Sequence, residues 1–322
     1  MRVRERLERR PRIRGNRSLR TISALRSRRF RSRIGVAALA VVLAACSAPA
    51  EGGQDTGEPA LGAIPNLLAA ADLRLPAQDY LATDAQNLQY LRAEVKLIQD
   101  CLRRFGVSYP VTPAADTNYG PRSMTDRRYG ITDAALASTA GYGLGARDPA
   151  LQTRPPTPDI GADGETALTG QGPTIVRGVP VPAGGCTGEA RRTLDAQLPP
   201  GADLQLAQNL QMQSFEQAKR DSRVKTVNAA WSSCLAEHGY HYADPFAPLA
   251  DPRFKGKLTP EQITVAATDI DCKGRTNLVG VWFSVESAYE ARAIQQAKAA
   301  FDLLKQARAA RQGAVDAVVP AG

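Results

Sequence analysis

The chain has 322 residues, with 41 Lys and Arg against 32 Asp and Glu, a formal charge of +9 and a pI near 9.5. Fourteen of the Arg and two of the Glu lie in residues 1–33, so the remainder carries 27 basic and 30 acidic residues, a net −3. The basic balance belongs to the N-terminal run, and the rest lacks the cationic excess that nucleic acid selects for, so no nucleic-acid partner is expected.

Residues 34–46 read IGVAALAVVLAAC, twelve apolar or small residues and then a cysteine. This run is shorter than the roughly 20 residues a membrane-spanning helix needs. An arginine-rich run, a short apolar run and a small-residue cleavage point together describe an export signal. Leu43, Ala44, Ala45 and Cys46 resemble the lipobox of bacterial lipoproteins: Leu, two small residues, then Cys. That resemblance implies cleavage between Ala45 and Cys46, acylation of Cys46 and insertion of its acyl chains into the lipid bilayer. Ser27-Arg28-Arg29-Phe30 is one residue short of a twin-arginine spacing.

Residues 47–76 are rich in Gly, Pro and small polar residues and read as a flexible tether, continuing to about 83. The first helix is expected from Asp84 to Phe105. It carries Leu88, Leu91, Val95, Ile98, Leu102 and Phe105 on one face, Thr83 or Asp84 as cap, and Gly106 as terminator. Residues 107–185 contain Pro110, Pro113, Pro121, Pro149, Pro155, Pro156 and Pro158, and read as a loosely draped or disordered loop. Within it a short helix is expected from Thr132 or Asp133 to Gly141, a turn over 165–168 and an extended piece over 175–181. Helices are then expected from Cys186 for about ten residues, over 203–220, and from Asp221 or Ser222 to Gly239. Thr259-Pro260-Glu261-Gln262 starts another, reaching about Cys272. The longest helix is expected from Thr276 to about Arg311. Gly280 within it signals either a close backbone approach or tolerated slack. Residues 313–322 read as a frayed tail.

Two stretches look alike. CLRRFGVSY begins at Cys101 and CLAEHGYHY at Cys234. Each has Gly five residues after the Cys and Tyr three after the Gly. Downstream of each lies a Cys-x-Gly step, Cys186-Thr187-Gly188 and Cys272-Lys273-Gly274. An exported protein keeps disulfides, and four thiols allow three pairings. The repeat selects Cys101–Cys186 and Cys234–Cys272, each tying the end of one helix to the start of a later one. The expected fold is all-α: two related disulfide-bridged helical modules, 84–220 and 221–312, with long Pro/Gly-rich loops. A signal peptide (1–45) and a tether (46–83) precede them.

WSSCLAEHGYHY (231–242), DPRF (251–254) and DCKGRTNLVGVWFSVESAYE (271–290), with RRYGITD (127–133) and GGCTGEARR (184–192), resemble a family of secreted lipoproteins from actinobacteria such as Streptomyces. The resemblance spans most of residues 84–310. It implies envelope placement and a helical, cysteine-bridged domain, and carries no activity. The excess of 33 Arg over 8 Lys agrees with a GC-rich genome.

Catalytic patterns are sparse. His238 and His241 with Cys234 form Cys-x3-His-x2-His, but a zinc site needs a further ligand and a free thiolate. No metal or other cofactor is expected. No nucleophile elbow, zinc-protease motif or phosphate-binding Gly loop occurs. Asp269 and Asp271 diverge on a helix, and Arg127 and Arg128 are expected to be solvated. Trp231 and Trp282 fall on core faces. Tyr240 and Tyr242, just past a helix end, are the candidates for the rim of a binding groove. The reading is a non-catalytic accessory or binding module on the outer face of the cytoplasmic membrane, with an envelope protein or peptidoglycan as partner. The alternatives are a solute-binding lipoprotein of an importer or an envelope hydrolase.

Overall fold

A computed structural model describes residues 57–113, 119–153 and 156–320. The leader, Ala45 and Cys46 lie outside the described residues. The regular structure is nearly all helical: α1 Asp84–Arg103, α2 Ala134–Ala140, α3 Gly161–Thr169, α4 Gly185–Leu194, α5 Leu206–Arg220, α6 Ser222–Glu237, α7 Pro260–Thr276, α8 Leu278–Gln296 and α9 Lys298–Val318. A two-residue hairpin, β1 Ile175–Val176 and β2 Val179–Pro180, pairs antiparallel with Val176 opposite Val179. Its turn places Arg177 (φ 49°) and Gly178 (φ 77°) in the left-handed region, the geometry that suits a twisted two-residue hairpin.

Local chemistry starts these helices. Thr83 Oγ1 accepts the Gln86 N–H while Gln86 Oε1 accepts the Thr83 N–H, a reciprocal cap. Asp133, Asp221 and Thr259 cap α2, α6 and α7 through their side-chain oxygens. The two look-alike stretches end their helices identically. The Val107 N–H donates to Leu102 O and the Gly106 N–H to Arg103 O; the Tyr240 N–H donates to Leu235 O and the Gly239 N–H to Ala236 O. Both glycines sit at positive φ, 67° and 83°, as this termination requires.

Both disulfides form as the repeat selects. Cys101 is bridged to Cys186, tying α1 to α4, and Cys234 to Cys272, tying α6 to α7. The second halves of the repeat differ. Cys186 lies in the first turn of α4, whereas Cys272 lies near the end of α7, which runs on through Gly274. The helix start expected after Gly274 is instead at Leu278, after Asn277 turns left-handed (φ 53°, ψ 36°).

The two bridged stretches pack as one body, because α5 lies along α8 and α1 along α9. α8 sits in the middle, buried on most sides through Leu278, Val279, Trp282, Val285 and Tyr289. Trp282 stacks on Phe215 of α5 at 5.5 Å and meets Phe246 edge-on at 5.9 Å.

Further expectations are corrected. The single helix over 276–311 is two, α8 and α9, broken at Ala297 (φ −109°, ψ 29°). The tail is helical to Val318, because Val315 is buried with Ala93 and Leu194. The tether does not reach 83. Residues 57–75 are an extended arm laid on the helices, and 76–80 a 3-10 turn, with Ala70, Leu75 and Ala77 fully buried. Asn277 holds this arm by accepting the Leu67 N–H (3.0 Å) and donating to Pro65 O (3.0 Å). Gly280 marks a close approach: a Cβ there would overlap the Pro65 carbonyl oxygen and the Asn277 side chain. Finally, the Pro-rich loop is not loose where it is described. Tyr129, Ile131 and Tyr142 are buried core residues.

Candidate functional site

Tyr240 and Tyr242 are half-buried against the core. The Tyr242 hydroxyl donates to Asp251 Oδ2 (2.7 Å) and accepts from Arg253 Nη2 (2.9 Å). Burial and the Asp251 charge push this phenol up to about 12, and Arg253 holds Asp251 well below the usual carboxylate range. The ring thus closes a surface turn. His238 and His241 are exposed, and Cys234, being bridged, offers no thiolate.

Two clusters of buried charge sit on α7 and α8. Lys273 and Asp269, one turn apart on α7, are both fully buried with Nζ and Oδ1 2.8 Å apart. Lys273 Nζ also donates to Ile131 O (2.9 Å), and Asp269 Oδ1 accepts the Trp231 Nε1–H (2.8 Å). Burial pushes Asp269 up and Lys273 down, each partly offset by the other. The second cluster contradicts the expectation that Arg128 is solvated. Its guanidinium is ion-paired with Glu286 of α8, through Nε at 2.8 Å and through Nη2, and Nη2 also donates to Gln211 O (2.6 Å). Tyr129 Oη donates to Glu286 Oε2 (2.9 Å). One turn on, Glu290 is fully buried without an ion-pair partner. It accepts the Ala77 N–H (2.7 Å) from the arm and lies 3.2 Å from Ser214 Oγ. Burial raises Glu290 to about 7, with the Glu286 charge acting in the same direction. These carboxylates are consumed in holding the loop and the arm to α8. A signal existed in the sequence: Glu286 and Glu290 at i, i+4 on an otherwise apolar face need partners.

A groove in the surface lies elsewhere. It has a volume of about 820 Å³ and runs between residues 74–90 and the last three turns of α9. Arg74, Lys305, Arg308 and Arg311 line it, against Asp79 and Asp316. Arg74 pairs with Asp79 (2.8 Å), and Arg311 with Asp195 (2.6 Å). Asp316 accepts from the Gln89 and Gln312 amides (2.8 Å each). Lys305 Nζ sits 4.5 Å from the centre of the Tyr80 ring. Arg308 has one hydrogen-bond partner, Leu204 O at 3.4 Å, and its Nε–H is buried with none. Burial, reinforced by Arg311, lowers the Arg308 pKa. One wall is α9 from Lys305 to Asp316, which runs on past the helix end at Arg311 expected from the sequence.

Among the described residues no cluster of three His, Cys, Asp or Glu could hold a metal. Neither a protein-family model, nor a curated protein, nor a solved structure matches the chain.

Proposed function

We propose that the protein is a lipid-anchored accessory module of the cell envelope, cut before Cys46, acylated on that thiol and working outside the cytoplasmic membrane. The observation that carries the reading is Leu43-Ala44-Ala45-Cys46 at the end of a short apolar run behind fourteen arginines. Two disulfides support it, since such bonds persist in oxidising compartments. Gly57 is eleven residues after Cys46, a reach of at most about 40 Å when extended, so the folded body would work close to the lipid surface. A binding rather than catalytic role is supported by the engagement of the buried carboxylates with structural partners. Importer lipoproteins commonly alternate strands and helices, and the helical core described above favours the accessory reading over that one.

Mass spectrometry of the protein from envelope membranes tests this. The expected N-terminus is a diacylated Cys46, and Cys46→Ser should leave the leader attached. An uncut chain, or a Cys46 free of acyl groups, would overturn the anchoring.

A further inference from the structure

We infer that the groove between residues 74–90 and α9 binds a small molecule through a carboxylate or phosphate group, with Arg308 as the principal contact and Lys305 beside it. This goes beyond the anchoring proposal: it gives the accessory module a ligand class, and does not depend on acylation of Cys46.

Three observations carry it. The first is size: about 820 Å³ lies within the range of roughly 300–1,000 Å³ typical of small-molecule sites. The second is the charge that remains after internal pairing. Arg74 and Arg311 are matched by Asp79 and Asp195, and Asp316 is held by amides. Arg308 and Lys305 are left without a carboxylate. They lie three apart on α9 and so share one face of the helix.

The third observation is the state of Arg308. A guanidinium carries five N–H donors and no acceptor. Here one donor reaches a backbone carbonyl at 3.4 Å, and the buried Nε–H has no partner at all. Burying an ionised donor without an acceptor is costly, and the neighbouring Arg311 adds repulsion, which is why its pKa falls. A carboxylate or phosphate in the groove would accept from the free Nη N–H groups and offset the charge that no carboxylate meets. The Tyr90 ring and Val315 give the walls an apolar part, and the Asn87 amide lies on the rim. The bound molecule is therefore expected to carry an uncharged body behind its anionic group.

The test is titration of the purified protein with inorganic phosphate and, separately, with succinate, at constant ionic strength, read by calorimetry. Saturable binding of either is expected. Arg308→Gln should weaken it about tenfold or more, and Lys305→Ala by less. Arg308→Lys keeps the charge without the fork and should fall between. Arg275→Gln, an exposed arginine on α7, should leave binding unchanged. A preference for phosphate or for succinate assigns the source of the anion. No saturable binding of either probe by the folded protein would overturn the inference. So would binding that Arg308→Lys, Lys305→Ala and Arg275→Gln alter equally. Because the titration is done in solution, it can fail while Cys46 is found acylated, and the reverse.

Discussion

Glu290→Gln is expected to stabilise the protein above neutral pH. Glu290 is fully buried on α8 and holds the arm through the Ala77 N–H. Burial raises its pKa from 4.5 to about 7, so the folded state binds this proton more tightly than the unfolded chain does. The favourable contribution is complete below about 4.5 and is lost as pH rises through about 7. At pH 8 the ionised side chain then costs about 3 kcal/mol relative to an ordinary glutamate. The surroundings suit the neutral form. Ser214 Oγ lies 3.2 Å from both Glu290 Oε1 and Gln211 O, and one hydroxyl proton serves only one of them. A protonated Glu290 donates to Ser214, whose hydroxyl then donates to Gln211 O. Glutamine reproduces this pattern, with its carbonyl toward Ala77 and its NH₂ toward Ser214, and never ionises. Urea unfolding of both proteins between pH 4.5 and 8.5 is the assay. The two should agree within about 0.5 kcal/mol at the acid end, and the variant should be about 2–3 kcal/mol more stable at pH 8. Parallel curves across that interval, or a variant less stable at pH 8, would refute the argument that Glu290 is held neutral.

Two further substitutions probe the same interior. Lys273→Met strands the buried Asp269 carboxylate and should cost about 3–5 kcal/mol in urea unfolding at pH 7. The loss should shrink as pH falls, because Asp269 then takes up a proton, and Lys273→Met with Asp269→Leu should recover much of it. Gly280→Ala drives a methyl group into the Pro65 carbonyl and the Asn277 side chain, so it should displace the arm rather than merely crowd the core. A loss of about 1–3 kcal/mol with new protease cleavage between residues 59 and 75 is the expected result, whereas an arm as protected as in the parent would contradict the docking.

Much of the helical framework was legible because its signals are local. Thr83, Asp133, Asp221 and Thr259 cap the helices they precede, and each cap is a side chain bonding to backbone two or three residues away. The cysteine pairing was legible through the repeated helix ends at Cys101 and Cys234, which the structure shows to close with the same hydrogen bonds. Composition alone was enough to indicate helices over sheets.

Tertiary structure alone decided the rest. The arm over 57–75 looked like a tether because an extended docked segment has no helical period, and its polar backbone is met by Asn277, some 210 positions away. Arg128 looked solvated because Glu286, which buries its charge, lies 158 residues on. The break at Ala297 carries no Pro or Gly, and the tail beyond Gly313 stays helical only because Ala93 and Leu194 cover Val315. The groove needed segments far apart in the chain. Its walls come from the arm, from α1 and from the end of α9, and no short window of sequence contains the distances that bring them face to face.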